Sequence, residues 1–204
     1  GARGVANTEL TCELSMQIGR AAAMVLSKNL NGKKPKVLIG LDTRASSQML
    51  ENAITAGLCS VGADVLKLGV VPTPAVAYLV KEYGYDAGIM ISASHNPYEH
   101  NGIKVFTRGG RDADMTVTGK IEAEIAGIAP DEVKSVDYEE ALRLGLVREG
   151  YPFNEYIDSI LSFLDVEAIK NSRLRIAIDP MYGVSQSSLR TILMTCRCDV
   201  DVIH

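Results

Sequence analysis

Short apolar runs alternate with segments of helical periodicity through the first half of the chain. Apolar residues three and four positions apart predict helices, and short apolar runs that end in glycine or a polar loop predict buried strands. The predicted helices cover residues 11–27, 46–58 and 75–83, and the predicted strands cover residues 36–40, 65–68 and 87–92. Strands that alternate with helices in this way form a largely parallel sheet, so the pattern predicts a three-layer α/β/α domain.

The connection after the third predicted strand is too short to hold a crossover helix. The next apolar run lies at residues 103–106, so we expect this strand to return antiparallel, at one edge of the sheet. The sheet is therefore predicted to be mixed and mostly parallel. Residues 1–7 predict a loop, and further helices are predicted at residues 116–125 and 138–144.

The pattern changes character from about Gly145 onward. The predicted elements are a helix at residues 153–164, a strand at 174–179, a helix at 187–194 and a strand at 200–203. A single strand–helix–strand unit cannot cover both faces of its own two parallel strands. We therefore expect a first domain at residues 1–146, and a linker helix with an incomplete second α/β domain at residues 147–204.

This second unit is expected to expose apolar side chains. Ile176 and Ile178 alternate with Ala177 along its first strand, so we expect the two isoleucines on one exposed face and the alanine on the other. Exposed apolar faces favour self-association.

Composition and charge exclude several classes of protein. Hydrophobic residues make up 47% and charged residues 23% of the chain, which excludes disordered and fibrous classes. The net charge of −4 argues against a nucleic-acid partner, which requires a basic face. The sequence has neither the run of about 18 apolar residues that spans a bilayer nor the pattern of a signal peptide. We therefore expect a cytoplasmic protein that binds neither nucleic acid nor membrane.

The most unusual polar segment is the loop at residues 92–102, which follows the third predicted strand. It contains two serines, two histidines and two asparagines. Ligands of open α/β sheets bind beyond the carboxyl ends of strands, so this loop is the candidate site. By composition alone, a polar surface turn is the alternative.

Two common kinds of site find little support in the sequence. Ser94 is not flanked by the G-x-S-x-G pattern of a hydrolase elbow. The side chains of adjacent Ser94 and His95 would point apart on extended backbone, and a catalytic triad takes its histidine from elsewhere in the chain. The glycine-rich nucleotide fingerprints do not occur either.

Several segments resemble the α-D-phosphohexomutase family. The sequence SASHNP at residues 92–97, followed by NGIK at 101–104, is similar to the family's active-site signature. Further similar segments are GARGVANTELT at residues 1–11, GLDTR at 40–44 and GVVPTP at 69–74. Within the family, the N-terminal and active-site segments are most similar to the phosphoglucosamine mutase branch. The segment IDPMYG at residues 178–183 is more similar to the phosphoglucomutase and phosphomannomutase branch.

The resemblance implies an isomerase that moves a phosphoryl group between O6 and O1 of a hexose phosphate through a hexose bisphosphate. It implies that Ser94 is the phosphoserine and that its phosphate binds Mg²⁺. Lys104 is implied to assist proton transfer and bind phosphate, and as a base it must be neutral, which requires burial or nearby cations. Arg3 is implied to be a catalytic residue that reaches into the site and binds phosphate. His95, also implied to be catalytic, and Asn96, implied to bind phosphate, would orient the loop and the phosphate.

Two further expectations concern the surroundings of Ser94. If the strand continues past Ser92, the two serines lie on opposite faces and only one can face the cleft, which favours Ser94 as the acceptor. Asp42 and Arg44 are expected to form an ion pair that braces the cleft.

Three motifs of the family do not occur in the 204 residues: its Asp-x-Asp-x-Asp-Arg metal loop, its Gly-Glu-x-Ser-Gly sugar loop and its Arg-x-Ser-Gly phosphate loop. We therefore expect a fragment that by itself lacks mutase activity and binds Mg²⁺ weakly, because this ion requires several oxygen ligands. The sequence leaves open which sugar is the substrate. A non-catalytic domain that binds a phosphosugar or a protein partner remains an alternative.

Overall fold

The computed structural model describes residues 1–31, 33–127 and 137–204, and most of this chain folds around one mixed sheet. Its strands are β1 (Ala2–Val5), β2 (Lys36–Leu41), β3 (Asp64–Val70), β4 (Ala87–Ile91), β5 (His100–Thr107), β6 (Arg111–Asp112) and β7 (Val147–Glu149). The strands lie in the order β1-β5-β4-β2-β3-β7, and β6 pairs with β5 outside this path.

The directions of the strands confirm the predicted mixed sheet. Strands β4, β2, β3 and β7 are parallel, and β5 runs antiparallel to β4 as predicted. The edge position predicted for β5 is wrong, because β1 pairs antiparallel with its other side and places Arg3 opposite Gly102. Residues 1–7, predicted as a loop, therefore contain a strand. The strand has no apolar alternation to reveal it, and its backbone groups are satisfied by pairing with β5.

The helices begin and end close to the predicted positions. They are α1 (Cys12–Asn29), α2 (Ser47–Ser60), α3 (Thr73–Glu82), α4 (Met115–Gly127), α5 (Tyr138–Arg143), α6 (Phe153–Leu161), α7 (Val166–Asn171) and α8 (Ser185–Thr195). The Leu14 N–H donates to Thr11 Oγ1 at 3.2 Å, so Thr11 is the N-cap of α1. The helix predicted at residues 153–164 ends at Leu161, and α7 follows it as an additional helix. Among the described helices, none has the length and apolar character needed to cross a membrane.

Helices cover both faces of the main sheet. On one face, Ile39 and Ile89 are buried in a core cluster with Ile54 of α2. On the other face, Leu38 and Met90 are buried in a cluster built on α3. Neighbouring residues of a strand thus lie in opposite clusters, which confirms the predicted three-layer α/β/α order.

The C-terminal part contains the predicted strand–helix–strand unit. Strands β8 (Arg175–Ile178) and β9 (Asp199–Val202) are parallel and form a separate two-stranded sheet, with α8 between them in the chain. Ala177 is exposed as expected, but Ile176 is only partly exposed and Ile178 is 6% exposed. The expected exposure of both isoleucines is therefore wrong, because α8 packs on this small sheet.

Strand β7 lies after residue 146 in the chain but belongs to the main sheet. It pairs with β3, and Val147 is buried in the main core. The division after residue 146 stays a prediction, and a division that keeps the main sheet intact comes after Glu149.

Candidate active site in the loop after β4

The loop at residues 92–99 connects the carboxyl end of β4 with β5. Ser94 adopts a φ of 56°, a left-handed conformation that costs a residue with a side chain about 1–2 kcal/mol. Its N–H donates to Ser92 Oγ at 3.0 Å, and the Asn96 N–H donates to the Ala93 carbonyl at 3.0 Å. Ser94 itself is exposed. The turn therefore presents the Ser94 hydroxyl at the end of the sheet where ligands bind.

Ser94 contacts the histidine that follows it. Ser94 Oγ and His95 Nδ1 are 3.3 Å apart, so the expectation that these side chains point apart is wrong. That expectation assumed extended backbone, whereas the left-handed Ser94 turns the chain. Within the described residues, His95 makes no hydrogen bond to a carboxylate, so the pair lacks the third member of a hydrolase triad.

Ser92 lies in the same region as the other predicted site residues. Strand β4 ends at Ile91, so the alternation of faces does not extend to Ser94. Ser92 lines a cleft of about 430 Å³ together with Arg3 and Lys104. Ser92, but not Ser94, is among the residues that line this cleft. The alternation of faces therefore gives no support to Ser94, and its choice as the phosphate acceptor stays a prediction.

Arg3 reaches from β1 to the loop. Its Nη1 donates to Asn96 Oδ1 at 3.1 Å, and the pairing of β1 with β5 holds it in this place. Two of the predicted phosphate-binding residues are thus in direct contact. The other N–H groups of Arg3 make no hydrogen bond within the described part of the chain, so they remain available to an anion.

Lys104 lies on β5 and is half exposed. Its Nζ is 3.5 Å from Asp112 Oδ2 and 5.8 Å from the centre of the Phe106 ring. Lys104 lines the same cleft as Arg3. The proton-transfer role of Lys104 stays a prediction.

The guanidinium of Arg44 binds the loop and the first residue of β5 through four backbone carbonyls. Nη1 donates to the carbonyls of Pro97 at 2.6 Å and His100 at 3.0 Å. Nη2 donates to the carbonyls of Ser94 at 2.9 Å and Asn96 at 2.8 Å. The sequence predicted an ion pair for this arginine but not these contacts. The position of Arg44 just beyond β2 could have indicated them, because β2 neighbours β4 in the sheet and the loop follows β4.

Asp42 and Asn101 extend this network into the core. Asp42 accepts from Arg44 Nε at 3.1 Å and from Ser47 Oγ at 2.8 Å, which confirms the predicted ion pair. Asn101 is fully buried, and its Nδ2 donates to Ser47 Oγ at 3.0 Å and Ser46 Oγ at 2.9 Å. The network joins the end of β2, the start of α2 and the start of β5. The positioning contribution of Asn101 was not predicted from the sequence.

The described residues do not complete a magnesium site. Among them, no group of three or more His, Cys, Asp or Glu side chains could hold a metal ion. The Ser94 hydroxyl supplies one oxygen, whereas Mg²⁺ requires near-octahedral coordination.

Proteins and structures similar to this chain are phosphohexomutases. Phosphoglucosamine mutases from Caldicellulosiruptor bescii and Caldicellulosiruptor saccharolyticus are 47% and 45% identical to it over 204 residues. The chain spans 44% of the length of each of these relatives.

Two solved structures show the same fold. A protein from Thermus thermophilus, assigned as a phosphomannomutase, superposes on 99% of this chain and 43% of its own, with a TM-score of 0.83 and 24% identity. The open form of the Paramecium phosphoglucomutase pp63/parafusin superposes on 98% of this chain and 42% of its own, with a TM-score of 0.81 and 19% identity.

A family model described as the alpha/beta/alpha domain I of phosphoglucomutase/phosphomannomutase matches residues 1–132. This range contains the loop with Ser94 and the two arginines that bind the loop. The chain therefore belongs to the phosphoglucomutase/phosphomannomutase family.

Proposed function

We propose that this chain provides the phosphoserine loop of a phosphohexomutase, an isomerase that moves a phosphoryl group between O6 and O1 of a hexose phosphate. One observation carries the proposal. An exposed serine, Ser94, is held in a left-handed turn at the carboxyl end of a central strand. Arg3, which still has free N–H donors, is bound to the same loop. The site thus combines an acceptor hydroxyl with a cation for the transferred phosphate.

The reaction that we propose proceeds in two transfers. A hydroxyl oxygen of the hexose phosphate attacks the phosphorus of phosphorylated Ser94, and the bond from phosphorus to Oγ breaks. The proton of that hydroxyl passes to a base, which we assign to Lys104, and the departing Ser94 Oγ takes up a proton from water. The resulting hexose bisphosphate reorients, and Ser94 Oγ attacks the phosphorus of its other phosphoryl group while its own proton returns to water. The bond from that phosphorus to the sugar oxygen breaks, and the sugar oxygen takes the proton from Lys104. Arg3 and Asn96 hold phosphate oxygens, and His95 orients the Ser94 side chain across their 3.3 Å contact.

Glucosamine phosphate is the substrate that we propose. The support is the identity of 47% and 45% to two phosphoglucosamine mutases over 204 residues. A phosphoglucomutase or phosphomannomutase is the second candidate, and the DPMYG segment at residues 179–183 favours it. A domain that binds a phosphosugar without catalysis is the third candidate.

We also propose that the complete protein binds Mg²⁺ through the Ser94 phosphate, together with ligands other than the described residues.

The complete gene product that contains these residues tests the proposal. It is incubated with glucose 1,6-bisphosphate and the modified peptide is mapped by mass spectrometry. We expect phosphate on Ser94, loss of turnover in Ser94→Ala and ordinary turnover in Ser187→Ala, which alters an exposed serine of α8. Phosphate on Ser92 with Ser94 unmodified would contradict the assignment.

The same preparations identify the sugar. We expect faster conversion of glucosamine 6-phosphate than of glucose 1-phosphate or mannose 1-phosphate. The opposite preference would support the second candidate. Binding of hexose phosphate without conversion of any of the three would support the third.

We further propose a cytoplasmic location and self-association of the 204-residue chain. Apolar side chains of its C-terminal part are exposed: Leu174, Met181, Tyr182, Leu189, Met194 and Ile203. Light scattering of the purified chain should show dimers or larger species, and a monodisperse monomer would contradict this expectation.

A further inference from the structure

Arg44 uses all of its side-chain N–H groups within the protein. A guanidinium has five N–H donors, and here they bind five oxygen atoms: one of Asp42, three backbone carbonyls of the loop and the carbonyl of His100 at the start of β5. Its side chain is 12% exposed. Arg44 therefore has no donor left for a phosphate, in contrast to Arg3.

The four carbonyls converge on this one cation. They belong to Ser94, Asn96, Pro97 and His100, so both arms of the loop are bound to the same group. Without the guanidinium, these carbonyls would lose the donor that they share, and only the Pro97 carbonyl is also shown to accept from a backbone N–H outside the strand pairing, that of His100 at 3.0 Å. Loss of a hydrogen-bond donor to converging carbonyl oxygens is unfavourable. The carbonyl of Ser94, the residue in the left-handed conformation, is one of the four.

The position of the guanidinium is itself determined from the core side. The two carboxylate oxygens of Asp42 bind the Arg44 Nε and the Ser47 hydroxyl, and Oδ1 also accepts from the Arg44 backbone N–H at 3.0 Å. A lysine has three donors on a flexible stem and cannot reproduce this planar fork.

From this geometry, we infer that Arg44 is a positioning residue for phosphoryl transfer. It holds Ser94 in the orientation that transfer requires and does not touch the phosphate. The inference rests on the proposed function, because it assigns a role within that reaction.

The test uses three variants of the complete gene product. Arg44→Lys keeps the charge but loses the fork, and Arg44→Ala leaves a space for free guanidinium. The matched control is Arg143→Lys, because Arg143 is an exposed residue of α5 that pairs only with Glu140 within the described chain. We expect kcat of Arg44→Lys to fall at least tenfold while KM changes less than twofold, and the control to keep both constants.

Two further measurements separate positioning from general destabilisation. Hydrogen exchange of the peptide at residues 92–101 should accelerate in Arg44→Lys, while exchange in β2 and β4 stays unchanged. Millimolar guanidinium should restore part of the kcat of Arg44→Ala. An unchanged kcat in Arg44→Lys would overturn the inference, and so would a loss of kcat without faster exchange in the loop.

Hydrogen exchange also distinguishes this inference from the proposed function, because it requires no substrate. If the unaltered protein converts no hexose phosphate but loop exchange still accelerates in Arg44→Lys, the proposed function fails and the control of the Ser94 loop by Arg44 is supported. If the protein is an active mutase and Arg44→Lys keeps its kcat, the proposed function stands and the inference fails.

Discussion

Glu51 Oε2 and Lys67 Nζ lie 3.0 Å apart, with 3% of the glutamate side chain and 12% of the lysine side chain exposed. The pair joins α2 to β3. Removal of one partner leaves the other charge buried, which costs about 3–5 kcal/mol. We expect Lys67→Met to lower the free energy of unfolding in urea at pH 7 by this amount. The control is Lys170→Met, which removes an exposed ion pair with Glu167. It should change the free energy of unfolding by less than about 0.5 kcal/mol. Equal effects of the two variants would contradict the prediction.

The same pair predicts a dependence of stability on pH. Burial raises the pKa of Glu51 above its ordinary value of 4.5, the hydrogen bond and charge of Lys67 oppose this rise, and Glu149 adds to it. A carboxyl whose folded pKa is raised contributes stability at low pH that is lost as pH rises through the folded pKa. In Lys67→Met the opposing contact is gone, so we expect this variant to be more stable at pH 5 than at pH 7. The added substitution Glu51→Gln should abolish that difference, and a difference that persists would contradict this origin.

Gly57 permits the close approach of α2 to α1. A Cβ there would meet the Met16 carbonyl oxygen and lie 2.9 Å from the Arg20 nitrogen. We expect Gly57→Ala to destabilise the protein by about 1–3 kcal/mol in urea unfolding. The control is Gly119→Ala on α4, where a Cβ meets nothing within 4 Å. It should stabilise the helix by about 0.5–1 kcal/mol. If both variants shift stability in the same direction, the packing argument is wrong.

The left-handed turn at Ser94 predicts a separation of stability from activity. Glycine adopts the φ of 56° without steric cost, whereas alanine keeps the strain. We expect Ser94→Gly to be more stable than Ser94→Ala by about 1 kcal/mol in thermal unfolding, and both to lack phosphoryl transfer. An alanine variant as stable as the glycine variant would show that the turn is not strained.

Lys104→Met tests the proposed base. The side chain is half exposed and its ion pair with Asp112 is 3.5 Å long, so its loss should change stability by less than about 0.5 kcal/mol. We expect kcat of the complete protein to fall by about 10²-fold, the lower range for loss of an acid–base group. Lys120→Met on exposed α4 is the matched control and should keep its kcat. A kcat that falls equally in both variants would remove Lys104 from the mechanism.

The elements that the sequence predicted are those with local signals. Helix α1 has an N-cap at Thr11 and a repeating apolar face, and β2 is a continuous apolar run. The short strands β1 and β7 have four and three residues and no such pattern. They are strands because β5 and β3 provide pairing partners far away in the chain. The composition of a short strand does not indicate that it pairs with a distant segment, because strand preference depends on the surrounding structure.

The sequence by itself determined the elements with local signals, the α/β/α class and the loop that carries Ser94, because periodicity, capping and motif are properties of neighbouring residues. The tertiary structure alone decided how Ser94 is held. Arg44 and its four carbonyl acceptors are separated by 50 to 56 residues. Every residue of the chain has a backbone carbonyl, so no residue type marks the acceptors that the fold brings to one guanidinium.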